Sequence, residues 1–292
     1  MPRKTAGHFI TKMESMKQLF FLLVIFVTFN NDGMHRPRKR SIHRPASYWL
    51  SPNERLQKFL SDAFSGQTIG MRAVAEIISL IREGANVNTV SIQGSTALML
   101  ACSNKLTINV LKRKNLITSL LWSGAQINQL NVADESAIAH AVRADDYETI
   151  AILLKNGATP NIQHRMTGWT PLMHAIEKRD GEEWIMLQLL KYGAVISMQN
   201  VGGATALHQA VMANKQQKTK LLLENNADPD KQDELVNSAL MIAGTQEYFS
   251  MSCLLLSYGA DPTLKNNAGQ SFVDLVKDKP SMNALLSLRK IP

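Results

Sequence analysis

Three histidines recur at nearly constant spacing: His140, His174 and His208. Imidazoles are frequent metal ligands and general bases, so the pattern raises metal or acid–base chemistry. His140 and His174 hold the same place in a repeated pattern, and His208 sits one residue earlier in its own copy. Equivalent places in neighbouring helical layers are ~8–10 Å apart, whereas zinc needs every donor ~2 Å from one ion. The spacing therefore predicts histidines that are hydrogen-bonded or half-buried within separate repeats. Cys102 and Cys253 lie several repeats apart, too far to pair, and read as small buried hydrophobes. The sequence contains no Cys-x-x-Cys, His-Glu-x-x-His, phosphate-loop or nucleophile-elbow motif. The expectation is a non-enzyme with no catalytic residue, metal or cofactor.

The elements that carry these residues repeat. An apolar pair, two spacers and Gly-Ala appear at Leu120–Ala125, Leu153–Ala158, Leu189–Ala194 and Leu255–Ala260. Asn226 replaces the glycine in Leu222–Ala227, and Leu80–Ala85 is a looser first copy. Successive copies from Gly84 are spaced 40, 33, 36, 33 and 33 residues apart, a period of 33 with two insertions. Such a period marks stacked supersecondary units. The insertions are expected at Ser103–Asn115 and around Arg179–Glu182, with Lys112-Arg113-Lys114 as a solvated loop or helix face.

About ten residues after each Gly-Ala a hydroxyl precedes a small or apolar pair: Thr96, Ser136, Thr170, Thr205, Ser238 and Ser271. These are helix starts, because a hydroxyl oxygen can accept from an orphaned amide and Pro171 suits a first helical turn. Ala101, Ala141, Ala175, Ala210 and Ala243 follow five residues later and allow close helix approach. The Leu-Leu pairs end second helices. Glycine, or Asn226, then supplies a left-handed terminator. Ser51-Pro52-Asn53-Glu54 opens the first unit as a capping box, and Leu56, Phe59, Leu60 and Ala63 share one face of its helix. Leu285, Leu286 and Leu288 are expected to close the far end.

These landmarks resemble the ankyrin repeat from about Ser51 onward, best in Gly168–Ala175 and Gly203–Ala210. The resemblance implies an all-α ankyrin-repeat solenoid of about seven helix-loop-helix units with short hairpin tips. The family's histidine after Thr-Pro-Leu survives only as His208. The family's Asp three before the turn glycine becomes Asn200 or Asn266, and Ser91 or Arg165 in two other copies. Imperfect repeats behind a signal-like start also resemble bacterial ankyrin proteins.

The resemblance implies a protein partner, bound through hairpin tips and the concave face of the first helices. By position the candidate contacts are Gln129, Leu130, Val132, His164, Arg165, Met166, Trp169, Met198, Gln199, Val201, Lys231 and Gln232. Trp169 reads as a local packing residue or an interface anchor, and tryptophans are frequent hot spots. The apolar tips exceed what solvated loops need. Trp122 and Trp184, on second helices, are expected to pack.

The chain divides into a basic segment, 1–50, and a repeat domain, 51–292. Residues 1–50 hold nine Lys/Arg and two Asp/Glu, net +7; the remaining 23 basic and 22 acidic residues leave the repeats at +1. A near-neutral body argues against nucleic-acid binding through the repeats. The apolar run 19–29 suits a signal core or short anchor, with Lys12 and Lys17 ahead of it. Arg36, Arg38, Lys39, Arg40 and Arg44 behind it oppose translocation. An exported or membrane-tethered start is expected, with a cytoplasmic or nuclear-targeted chain as the alternative. A second reading makes the chain a membrane-tethered or targeted attachment factor, in which the basic segment sets location and the repeats are a spacer; under either reading the stack is expected to be monomeric.

Overall fold

The computed structural model describes residues 50–65, 70–179 and 183–276. The apolar run 19–29, the basic run 36–44 and Leu285, Leu286 and Leu288 lie outside the described residues. Two compact units are present. The first, through Val132, contains α1 (Pro52–Ser65), α2 (Met71–Arg82), α3 (Ala97–Cys102) and α4 (Val110–Trp122). The second, from Ala133, contains α5 (Ala137–Arg143), α6 (Tyr147–Lys155), α7 (Pro171–Ile176), α8 (Glu183–Lys191) and α9 (Ala206–Met212). It continues with α10 (Gln216–Glu224), α11 (Ala239–Thr245), α12 (Phe249–Ser257) and α13 (Phe272–Leu275). The described residues form no regular strand beyond isolated bridges such as Val90 with Thr96 and Gln232 with Ser238.

In the first unit α1 packs on α2 and α3, and α3 on α4. In the second, the short first helices form a continuous series, α5 on α7, α7 on α9, α9 on α11 and α11 on α13. Each of α5, α7, α9 and α11 also packs on its own longer partner, α6, α8, α10 or α12. Fully buried Ala141, Ala175, Ala210 and Ala243 let the first helices approach, and buried Leu153, Leu189, Leu222 and Leu255 fill the space behind them.

The hydroxyl landmarks start the helices. Thr96, Thr170, Thr205 and Ser238 accept from the amides of Met99, Met173, His208 and Met241. At the start of α1 Ser51 and Glu54 form the reciprocal box, with Ser51 N donating to Glu54 Oε2 at 2.7 Å. Ser136 starts α5 without a side-chain cap bond. Asn226 terminates α10 at φ 65°, in the backbone region of the glycines it replaces.

The insertions have a physical signature. In the regular repeats the alanine carbonyl of the first helix accepts an amide five residues on: Asp146 N to Ala141 O, Lys215 N to Ala210 O, Tyr248 N to Ala243 O. Basic side chains serve the same carbonyl where the chain is longer. Arg113 Nη1 donates to Ala101 O at 3.2 Å and Ser103 O at 2.9 Å, and Nη2 to Leu106 O at 2.7 Å. Lys218 Nζ donates to Ala175 O at 3.1 Å, Ile176 O at 3.0 Å and Lys178 O at 2.5 Å. Arg113 is thus partly buried as a helix cap and is not the solvated residue its Lys-Arg-Lys context suggests. Lys218 is fully buried at a place filled by Ile185 and Met251 in sister repeats.

The 36-residue repeat is not lengthened in one place. Gly157 to Gly168 is eleven steps, whereas Gly193 to Gly203 is ten, so one extra residue lies in the hairpin before α7. The hydrogen bonds locate the shift: Gly168 N donates to His164 O as Gly203 N does to Asn200 O. His164, and not Arg165, therefore holds the slot of Asn200. Trp122 and Trp184 also depart from expectation, being 51% and 38% exposed. Trp184 packs edge-to-face on Tyr147 of α6, with ring centroids 5.6 Å apart.

Candidate functional site

The hairpin tips are held by a ladder. Within the second unit Arg165 N donates to Ala133 O, Val201 N to Thr167 O and Glu234 N to Gly202 O. Side-chain amides run parallel to it. Gln163 Nε2 donates to Gly168 O and Gln199 O, Gln199 Nε2 to Gly203 O and Gln232 O, and Gln232 Nε2 to Val236 O and Lys265 O. Gln199 and Gln232 therefore spend their amide donors on register. At the turn the chain passes so close that a Cβ on Gly203 would lie 2.5 Å from Glu234 N. That contact, with φ 71°, requires glycine there.

Apolar side chains stand out from these ordered tips. Met166, the hairpin with the extra residue, is 76% exposed, and Val201 is exposed beside Thr167. Leu235 is equally prominent, although nothing in its local sequence singled it out. Arg165 and Lys231 are exposed, and Met198 is partly buried. In the first unit Val132 and Leu130 are exposed and Gln129 is partly buried. Ile92, which sequence reasoning passed over, is the most exposed large apolar residue among the described residues of that unit.

The departures from the repeat rule converge at one place in the second unit. Glu135, just before α5, pairs with Arg143 at its end. His140 Nε2 lies 3.5 Å from Glu135 Oε2, and His164 Nε2 lies 3.8 Å from Glu135 Oε1. Arg143 Nη2 is 3.2 Å from His140 Nδ1, so that nitrogen accepts. His164 Nδ1 meets Thr167 Oγ1 at 3.2 Å, and Thr167 Oγ1 in turn accepts from Trp169 N. The partly buried Trp169 ring lies against His174 of α7, with centroids 5.1 Å apart. Lys178 Nζ donates to Arg143 O at 2.8 Å and pairs with Asp145 at 2.9 Å, tying the end of α7 to that of α5.

Burial first, then the positive charge of Arg143, pushes His174 down to about 4. His174 is therefore a neutral imidazole at neutral pH. His208 is also lowered, mainly by burial, but its role is structural. Its Nδ1 accepts from Thr205 and its Nε2 donates to Asn237 O at 3.1 Å, joining one helix start to the next hairpin. Among the described residues, no group of three or more His, Cys, Asp or Glu could hold a metal ion. Of the residues expected from sequence, the structure gathers His164 and Trp169 with Glu135, His140, Arg143 and His174. Met198, Val201 and Lys231 stand on the later repeats of the same unit. Repeat position pointed to His164 and Trp169 and the histidine spacing to His140 and His174, whereas nothing in the sequence singled out Glu135 or Arg143.

A family model of ankyrin repeats matches three overlapping segments, 70–163, 106–200 and 181–266, more than half of the chain. The chain is 30% identical over 209 residues to an ankyrin repeat protein of Acanthamoeba polyphaga mimivirus, covering 68% of this chain and 29% of that protein. It is 27% identical over 165 residues to the B-cell lymphoma 3 protein homolog of Mus musculus, covering 56% and 36% respectively. The chain thus spans about a third of the length of these relatives. The crystal structure of the human ASB11 ankyrin repeat domain is similar in fold, with a TM-score of 0.58 at 24% identity, covering 82% of this chain and 98% of that one. Repeat period, helix caps, terminator backbone and sequence relatives agree: the chain belongs to the ankyrin repeat family.

Proposed function

We propose that the chain is a non-enzymatic scaffold that captures a protein partner on the α5–α7 face and adjoining hairpin tips of its second unit. Ankyrin repeats generally mediate protein–protein interaction. The observation that carries the placement is Trp169, laid on a neutral His174 beside the one lengthened hairpin, with Met166 projecting from it. Repeats need neither the extra residue nor the tryptophan to stack, since Ala204 and Asn237 occupy the equivalent place elsewhere. Tips already held by the ladder lose little freedom on association, which favours affinity.

The test compares the full chain with Trp169→Ala and Met166→Asp in affinity capture from cells that make the protein. Hot-spot truncations typically cost ~2 kcal/mol or more, so both variants should lose a partner retained by the parent, with unchanged circular dichroism. Retention by both variants would put the interface elsewhere. Location is a separate matter. The +7 charge concentrated in residues 1–50 supports a role for that segment in membrane or compartment targeting, and deleting it should change location without abolishing capture.

A further inference from the structure

We infer that the hairpin tips of the first unit are an intramolecular docking surface for the apolar run 19–29 of this chain, keeping that run from water and from membranes until it is released. This rests on the reading of residues 1–50 as the segment that sets location, and does not involve the partner face of the second unit. Ile92 and Val132 carry it. They are 79% and 60% exposed on neighbouring hairpins, joined where Val132 N donates to Gln93 O at 3.0 Å, and Leu130, also exposed, is two residues from Val132. The hairpin stretches 85–96 and 125–132 contain no charged side chain. On the tips of the second unit, by contrast, Arg165, Lys231 and Glu234 stand exposed. Ser61 Oγ of α1 accepts from Ile92 N at 3.0 Å, and the charges nearest to it along that helix are the exposed Lys58 and Asp62, one of each sign. Apolar side chains can cover such a surface without leaving an ion unsolvated.

The run fits this surface in chemistry and in reach. Leu19 to Phe29 is apolar apart from Thr28 and carries no charge. Removing such side chains from water is favourable in proportion to the area covered. The described residues open at Leu50, itself exposed, directly before the Ser51 cap of α1. Ser61 lies ten residues along from Ser51, ~15 Å at the rise of a helix, so Ile92 is close to the point where the chain enters the unit. Phe29 precedes Leu50 by 21 residues, a contour of up to ~70 Å. A tether that spans the gap makes the encounter intramolecular and gives it an effective concentration that a separate partner lacks. Arg36, Arg38, Lys39, Arg40 and Arg44 all fall within that connecting stretch, so none of them has to enter the uncharged surface.

The test places benzoylphenylalanine at Ile92 of the full chain, with Met166 as the comparison position. Adducts are mapped by mass spectrometry on a mixture of isotope-labelled and unlabelled protein, which separates links within one copy from links between copies. The expected adduct joins position 92 to residues 19–29 of the same copy, is absent from position 166, and is lost when Leu23→Asp and Phe26→Asp are combined. The second readout is co-sedimentation with vesicles of phosphatidylcholine and phosphatidylserine in equal parts. Ile92→Asn combined with Val132→Asn, two exposed positions whose exchange should leave circular dichroism unchanged, should bind them about tenfold more tightly than the parent. That factor corresponds to a run free in about one parent molecule in ten and in every variant molecule. No adduct to 19–29, an adduct that joins two copies, or equal vesicle binding by parent and variant would overturn the docking surface. Equal and firm binding by both would leave the targeting reading standing, so that this inference alone fails.

Discussion

Val236 sits at a hairpin turn with φ 62°, where sister repeats place Gly94, Gly168, Gly203 and Gly269. A β-branched residue is a genuine outlier in that region, costing roughly 1–2 kcal/mol against ordinary backbone. Val236→Asn should raise stability by about 1 kcal/mol, read as a higher urea midpoint. A lower midpoint would mean that the valine side chain contributes more by packing than the backbone loses. His174 yields a pH prediction with a definite sign. Its folded value of about 4 lies below the unfolded value of 6.5, so the unfolded chain takes up the proton first. The contribution is fully present above pH 6.5, declines below it and is gone by about pH 4. The shift corresponds to on the order of 3 kcal/mol, and His208 acts in the same direction. Hydrogen exchange of α7 amides should accelerate over that window, and His174→Gln should flatten the acceleration.

Where the connection after a first helix is longer, as after α3 and α7, a basic side chain of a second helix donates to the alanine carbonyl that a backbone amide serves in the regular repeats. Lys218 shows what the exchange demands. Its ammonium reaches three carbonyls at the end of α7 from a place held by uncharged Leu116, Thr149, Ile185 and Met251 in the sister repeats. Lys218→Met should destabilise by about 1–3 kcal/mol, because buried acceptors lose their donor. Ile185→Met, at the equivalent place one repeat earlier, should cost less than ~1.5 kcal/mol as a near-isosteric exchange. Similar losses for the two would remove the capping role. The helix starts and terminators were legible in sequence because each depends on one residue's own chemistry, as at Thr170 or Asn226. Lys218 and Arg113 were not, since their partners lie across the layer and their burial depends on where an insertion diverts the chain. For the same reason the spacing of His140 and His174 was visible, but their convergence with Glu135, Arg143 and Trp169 was not. One extra residue between Gly157 and Gly168 shifts the hairpin register, and a period of 36 does not say where the additional residues fall.

Across the whole molecule, charge and function separate. Residues 51–292 carry 23 basic and 22 acidic side chains, a balance without the single-sign field that steers nucleic acid. Among the described residues no helix is long and apolar enough to cross a membrane. The specific features instead collect on one face of the second unit: an ordered ladder of tips, a projecting Met166, and Trp169 on a neutral imidazole. A stack of helix pairs does not need any of these to fold, since each pair is shielded by its neighbours. Site-specific photocrosslinking tests this most directly, with benzoylphenylalanine placed at Met166 and, for comparison, at exposed Leu187 on α8. A discrete protein adduct from position 166, absent from position 187 and lost on Trp169→Ala, is the predicted result. Adducts from position 187 alone, or an adduct at 166 that is indifferent to Trp169→Ala, would contradict it.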